Sequence, residues 1–192
     1  MKKINSLLLT AGFSSRMKMD KALIKIENEY FINIIISKLI LVSDNIFIVL
    51  GHHSDLIRKE IKQEFLEYIT FVFNENYSDG MYSSIKKGVE SSDNHTLIHM
   101  IDQPFISNNF YIDFVNNFKD EFMISQPLHN NKVGHPIILN KDIIKKMAIT
   151  TDNNLRDFLK PFRDKMNVFV TDEEAIFHNI NNQEILKKII SN

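Results

Sequence analysis

Near the N-terminus, "LLLTAGFSSRMKMDKALIKI" (7–26) follows an apolar run with four small residues, Ala11, Gly12, Ser14 and Ser15, and then two long-armed cations, Arg16 and Lys21. Small side chains let an anion approach the main chain, where successive N–H groups can point at phosphate oxygens. A guanidinium offers a paired contact to phosphate, and an ammonium a mobile point charge. The stretch has the composition of a phosphate cradle, and equally that of a strand-to-helix turn with exposed basic residues. It is neither of the two commonest glycine motifs: Met17 stands where a Walker loop needs its second Gly, and Ser14 where a dinucleotide fingerprint needs one.

Further along, Asp102 closes the apolar run "TLIHMI" (96–101) and precedes Gln103 and Pro104. A carboxylate at the carboxyl end of a central strand suits Mg²⁺, which binds through one or two carboxylates and substrate phosphates. An Asp before a Pro-containing loop is also an ordinary turn former. "NYSDGMYSS" (76–84) offers Gly80 for a sharp turn and Ser83 and Ser84 as hydroxyls at a helix start. "VGHPIIL" (133–139) sets His135 just before a strand, where a lone His more often serves as a hydrogen-bond partner than as a catalyst. The cluster Asn179, Asn181 and Asn182 either caps the last helix or lends an amide oxygen to a metal. Adjacent His52 and His53 do not converge as i, i+4 ligands do, and read as a loop. With no Cys in the chain, any metal is held by oxygen or imidazole.

These groups need a scaffold. Runs rich in Ile, Val and Phe at 4–9, 45–51, 68–73, 96–101 and 120–125 read as strands, the first as one covered on both faces. Helical patterns separate them at 31–42, at 54–68 and at 83–92; in the second, Ser54 is the N-cap and Leu56, Ile57, Ile61 and Phe65 form one apolar stripe. Such alternation predicts parallel pairing through right-handed crossovers, hence a helix-covered α/β sheet. The C-terminal part alternates less cleanly. Strands are expected at 133–140 and 166–171, a short helix over 152–162 stopped near Pro161, and a closing amphipathic helix with Ile185, Leu186, Ile189 and Ile190 on one side.

Composition bounds the rest. A chain of 192 residues, 44% hydrophobic, is suited to one core, and the reading is a single domain over 1–192. A formal charge of -1 gives no electrostatic footprint for nucleic acid. No apolar run reaches the roughly 18 to 20 residues that span a bilayer. The absence of Cys fits a reducing compartment, so a cytoplasmic protein is expected.

"LLLTAGFSSRMKMDKAL" resembles the signature L-A-A-G-x-S-x-R-M-G-x-x-K of a family of nucleotidyltransferases, most closely the molybdenum cofactor cytidylyltransferase branch, which makes the dinucleotide form of that cofactor. Further segments match that branch in order: "NENYSDGMYSSIKKGV" (74–89), "MIDQPFIS" (100–107), "GHPIIL" (134–139), a weaker "TDNNLRDFL" (151–159) and "NINNQEIL" (179–186). The resemblance implies a three-layer α/β/α, Rossmann-like nucleotidyltransferase fold with a mostly parallel, mixed sheet. It implies nucleotidyl transfer, in which the terminal phosphate of molybdenum-loaded molybdopterin attacks the α-phosphate of CTP and pyrophosphate leaves.

In matching enzymes the segment Ala11, Gly12, Ser14 and Ser15 cradles the triphosphate, Arg16 grips its β and γ groups, and Lys21 stabilises the transferring α-phosphate. By the same resemblance Asp102 is a Mg²⁺ ligand, Gln103 continues its motif, and Asn181 falls on the position of a second ligand. Gly80, Met81 and Ser84 match residues beside the base and ribose, and His135 belongs to an element facing the pterin. "TAG" and "GHP" favour CTP, whereas Asn181 resembles the branch that uses GTP. Lys18 replaces the family's Gly after R-M. Another small phosphorylated acceptor, or a nucleotide-binding chaperone without turnover, are the alternatives, and a molybdenum hydroxylase is the expected recipient of the product.

Overall fold

The computed structural model describes residues 3–11, 20–152 and 154–190. Five parallel-type strands open the chain's alternation with helices: β1 (Ile4–Leu9), a short antiparallel hairpin β2 (Lys25–Ile26) and β3 (Glu29–Tyr30), α1 (Phe31–Leu39), β4 (Ser43–Leu50), α2 (Ser54–Glu60), β5 (Ile69–Phe73), α3 (Met81–Val89), β6 (Thr96–Met100), α4 (Asn108–Asn116) and β7 (Ile124–His129), the hairpin aside. There follow β8 (Lys132–Val133), β9 (Ile137–Leu139), α5 (Lys141–Ile149), α6 (Leu155–Leu159), β10 (Met166–Val170) and α7 (Gln183–Ile190).

The main sheet runs β10-β7-β9-β6-β1-β4-β5, with β8 paired to β7. β1, β4, β5 and β6 are mutually parallel, and β9 is antiparallel to both β6 and β7, so the sheet is mixed and mostly parallel as expected. Alternate residues of each strand feed two separate cores, as the two-residue strand period requires. Ile4, Leu8, Ile46 and Ile48 meet Ile32, Ile35, Phe110 and Phe114 of α1 and α4 on one face. Leu7, Leu9, Phe47 and Val49 meet Ile85, Val89, Ile143 and Met147 of α3 and α5 on the other. Burial of β1 on both faces explains its mostly apolar sequence, and its two buried polar side chains are paired, Asn5 with Ser92 and Ser6 with Ser43.

Several elements depart from the pattern in the sequence. The helix expected over 54–68 ends at Glu60, because the Asn33 amide accepts from Lys62 N (3.2 Å) and donates to Glu60 O (2.8 Å). That side chain takes over the backbone groups that would have propagated the helix, Ile61 turns extended, and Gln63–Tyr68 forms a 3-10 helix. Leu56 is consequently exposed, while Ile57 and Ile61 are buried. The N-cap is His53, in the left-handed region at φ 58°, in place of Ser54.

The strand expected at 120–125 lies instead at Ile124–His129, since Phe122 N bonds back to Lys119 O in a turn. Pro127 is tolerated there because it falls between the stretches that pair with β9 and with β8. The strand expected over 133–140 divides at the cis His135–Pro136 bond, leaving β8 and β9. The short helix α6 ends at Leu159, two residues before Pro161, which sits in the first turn of the 3-10 helix Lys160–Lys165 that follows. Ser83 and Ser84 lie inside the first turn of α3, which starts at Met81 behind Gly80 as N-cap, and neither caps it.

Candidate functional site

Parallel strands with helical crossovers bring the carboxyl ends of β1, β4, β5 and β6 to one edge of the sheet, where open α/β sheets bind ligands. Lys21 follows β1 in a 3-10 turn, Lys21–Leu23, and its side chain turns back over this edge. Its Nζ donates to Asp102 Oδ2 at 2.9 Å and to Asn181 Oδ1 at 2.8 Å. Three residues far apart in sequence thus meet around one ammonium, and the Lys21 and Asp102 side chains are both mostly buried. Asp102 Oδ1 is buried with no hydrogen-bond partner among the described residues. A buried carboxylate oxygen left with free lone pairs is a place for a donor or a cation.

The Asn cluster divides its labour. Asn182 accepts from Ile185 N at 2.8 Å and opens the last helix, whereas Asn181 reaches Lys21. Ile180 N donates to Asp102 O at 2.8 Å, so the C-terminal segment holds the Asp102 backbone as well as facing its side chain.

Beside this cluster lies a cavity of about 380 Å³. Of the residues expected in a site, Ala11, Lys21, Gly80, Met81, Ser84 and Asp102 line it. Gln103 and His135 do not; Gln103 Nε2 and His135 N both bond to Ile176 O, at 2.8 and 3.3 Å, and the Gln103 bond ties the loop after Asp102 to that segment. The His135 imidazole is held below its ordinary pKa by burial, with the Asp102 carboxylate pulling the other way, so it lies within the electrostatic reach of Asp102. Gly12, Ser14, Ser15, Arg16 and Lys18 lie outside the described residues.

Thr10, Tyr77 and Ser78 also line the cavity, together with Met100 and Ile101. Tyr77 packs against Ala11 across Gly51: a Cβ on Gly51 would stand 2.8 Å from the Tyr77 side chain and 3.0 Å from the Ala11 Cβ. Gly51 therefore permits the close approach of two cavity walls. Gly80 adopts φ 99°, which L side chains rarely adopt, and aims the following helix at the cavity.

Asn74 is the residue that sequence reading passed over. Buried at the end of β5, its amide donates to Ser83 Oγ and Ser84 Oγ, both at 3.0 Å, and accepts from Asn76 N at 3.1 Å. Ser83 Oγ in turn donates to Asn76 O and Gly80 O, each at 2.8 Å. One buried amide thereby fixes the wall that carries Gly80, Met81 and Ser84. The only signal for it in the sequence is a polar Asn directly after an apolar strand.

Asp102 and Asn181 supply hard oxygen donors suited to Mg²⁺ or Mn²⁺, and the Lys21 ammonium shows that a cation is accommodated between them. No group of three or more His, Cys, Asp or Glu able to hold a metal is found among the described residues. A metal here would need further oxygens from a substrate, the usual arrangement for Mg²⁺ with phosphates. None of the helices among the described residues is long and apolar enough to cross a membrane.

A protein-family model described as the MobA-like NTP transferase domain matches residues 6–167. The chain is 25% identical over 162 residues to the molybdenum cofactor cytidylyltransferase of Escherichia coli, covering 83% of this chain and 82% of that protein. It is 28% identical over 160 residues to the probable molybdenum cofactor guanylyltransferase of Clostridium perfringens, covering 80% and 75%. Among solved structures, Rv0371c from Mycobacterium tuberculosis superposes with a TM-score of 0.82 at 13% identity over 100% of both chains. The same protein in complex with manganese gives 0.72 at 13% identity, over 100% and 99%.

Proposed function

Because the chain belongs to the MobA-like NTP transferase family, and so is a nucleotidyltransferase, we propose that it transfers CMP from CTP to the terminal phosphate of molybdenum-loaded molybdopterin and releases pyrophosphate. The observation that carries this reading is the Lys21 ammonium held between Asp102 and Asn181 at the mouth of the cavity. A phosphate oxygen of the acceptor attacks the α-phosphorus in line; the new P–O bond forms as the bond to the β-phosphate oxygen breaks, and the electron pair leaves with pyrophosphate. Such chemistry needs positioning and neutralisation of charge more than a protein nucleophile.

Lys21 trades its carboxylate and amide partners for the α-phosphate and stabilises the charge that builds on it. Arg16 takes the β and γ groups, and Ala11 to Ser15 cradle them. Gly80, Met81 and Ser84 face the base and ribose from the wall that Asn74 fixes. Asp102 and Asn181 would hold Mg²⁺, which when bound neutralises phosphate charge. The orphaned Asp102 Oδ1 and the oxygen-only donor set fit it. The manganese complex of the Mycobacterium tuberculosis protein supports a divalent ion in this fold. Gln103 braces the loop that presents Asp102, and His135 takes the pterin side.

CTP is favoured by "TAG" and "GHP" and by the cytidylyltransferase relative. GTP is the second reading, on two observations: the neutral amide of Asn181 and the guanylyltransferase relative. Pyrophosphate release measured with each nucleotide, Mg²⁺ and molybdenum-loaded molybdopterin separates them. Release with CTP alone is expected; release with GTP alone selects the second reading, and nucleotide binding without release leaves only a cofactor chaperone.

A further inference from the structure

Between Asp102 and α4 the chain crosses residues 103–107, a loop whose buried backbone groups all need partners. Two of its carbonyls find theirs on a different element. Lys38, in the last turn of α1, donates to Pro104 O at 2.6 Å and to Ile106 O at 2.8 Å. A lysine at that position ordinarily serves the free carbonyls of its own helix or points to water. Here it leaves both and enters a partly buried space, where burial lowers its pKa and the Glu173 carboxylate opposes that shift.

Glu173 completes the arrangement: its Oε2 accepts from Ser107 N at 3.1 Å, next to the Ser107 hydroxyl that caps α4. The loop is then tied at Asp102 O by Ile180, at Gln103 through Ile176 O, at Pro104 and Ile106 by Lys38, and at Ser107 by Glu173. Lys38 reaches it from the N-terminal half of the chain and grips both sides of Phe105. A single charged donor spanning two carbonyls fixes their separation, and with it the exit direction of the chain from Asp102.

We propose that Lys38 is a positioning residue for Asp102: by clamping the Pro104 and Ile106 carbonyls it holds the Asp102 carboxylate where the reaction uses it. The inference rests on the role given to Asp102 above. Lys38 touches neither Asp102 nor the cavity, and works through the loop alone.

The test compares the wild-type chain with Lys38→Met, which keeps the length of the arm and removes the donor. Expected are a kcat lower by about 10- to 100-fold with nucleotide KM within about twofold, and a matching loss of Mn²⁺ affinity measured by titration with the metal in the presence of nucleotide. Amide hydrogen exchange over residues 102–107 should quicken by about tenfold or more while the strands stay protected. A folded Lys38→Met with wild-type kcat, Mn²⁺ affinity and loop exchange overturns the proposal, as does a variant that only loses thermal stability. Should Lys38→Met fail to fold, Lys38→Gln, whose amide can serve one carbonyl, provides the same comparison. If the wild type neither turns over nor binds Mn²⁺, the proposed function falls, and the exchange measurement alone decides the role of Lys38.

Discussion

Lys21 Nζ lies 2.9 Å from Asp102 Oδ2 with nothing but Asn181 Oδ1 as its other side-chain acceptor among the described residues. The ammonium and the carboxylate neutralise each other at the mouth of the cavity, in a place where both are mostly buried. Neither charge is thereby left uncompensated before substrate arrives, and the pair must separate, or take in a cation and an anion together, for phosphates to be bound.

Lys21→Ala should act on the chemical step. Removing a donor that meets charge developing in the transition state costs about 10²- to 10³-fold in kcat. Nucleotide KM should move much less, since the contact is made chiefly in the transition state. Steady-state pyrophosphate release at saturating nucleotide measures this; an unchanged kcat removes Lys21 from the reaction.

Asn74→Ala should loosen the cavity wall without touching a ligand. It leaves the buried Ser84 hydroxyl and the Asn76 N–H without their partner, at a cost of roughly 1–3 kcal/mol. Because Gly80, Met81 and Ser84 ride on that wall, nucleotide KM should rise along with the loss of stability. Chemical denaturation and nucleotide titration on the same sample check both, and a stability loss with unaltered nucleotide affinity would detach Asn74 from the site.

Gly80→Ala separates backbone strain from crowding. A Cβ at Gly80 meets nothing within 4 Å, so its only penalty is the φ of 99°. Strain of this kind costs about 1–3 kcal/mol, or a fall in Tm of several degrees for a domain of this size. A variant as stable as the wild type would mean that α3 can start from another backbone conformation.

Stability should fall as pH is lowered from about 6.5 towards 3. His99 is fully buried on β6 with Nε2 2.5 Å from Tyr111 Oη, and burial depresses its pKa to about 3. Below its ordinary value of 6.5 the unfolded chain takes up a proton that the folded chain refuses, so the unfolded state gains, by up to about 1.4 kcal/mol per pH unit. His135, also depressed by burial, adds in the same direction. Urea midpoints of the wild type and His99→Gln at several pH values between 7 and 4 test this: the variant's curve should be flatter, and parallel curves would contradict it.

The parallel half of the sheet is legible in the sequence because β1, β6 and the second half of β4 are buried on both faces and carry runs such as Leu7–Leu9 and Ile46–Leu50 that are apolar on both. The α2 segment is not, because Asn33, from another helix, supplies the hydrogen bonds that stop it; a local apolar period carries no trace of a distant amide. The same holds within the site. Lys21 and Asp102 declare themselves by type and position, and the structure puts them 2.9 Å apart. Asn74 acts through hydroxyls in the first turn of the next helix and Lys38 through carbonyls of a loop far along the chain, kinds of partner that residue identity does not announce. Asn181 and Asn182, neighbours of one residue type, part ways only in three dimensions.

Transfer of label from the α-phosphate of CTP to molybdenum-loaded molybdopterin, followed in the presence of Mg²⁺ for the wild type and for Asp102→Asn, bears most directly on the proposed reaction. The account predicts a labelled dinucleotide product and an equal amount of pyrophosphate from the wild type. It predicts neither from Asp102→Asn, which should stay folded with a Tm no more than several degrees below wild type, since Asp102 belongs to neither core and the new amide oxygen, with that of Asn181, still accepts from the Lys21 ammonium. A labelled product from Asp102→Asn at the wild-type rate, or a loss of activity explained by unfolding of that variant, would contradict it.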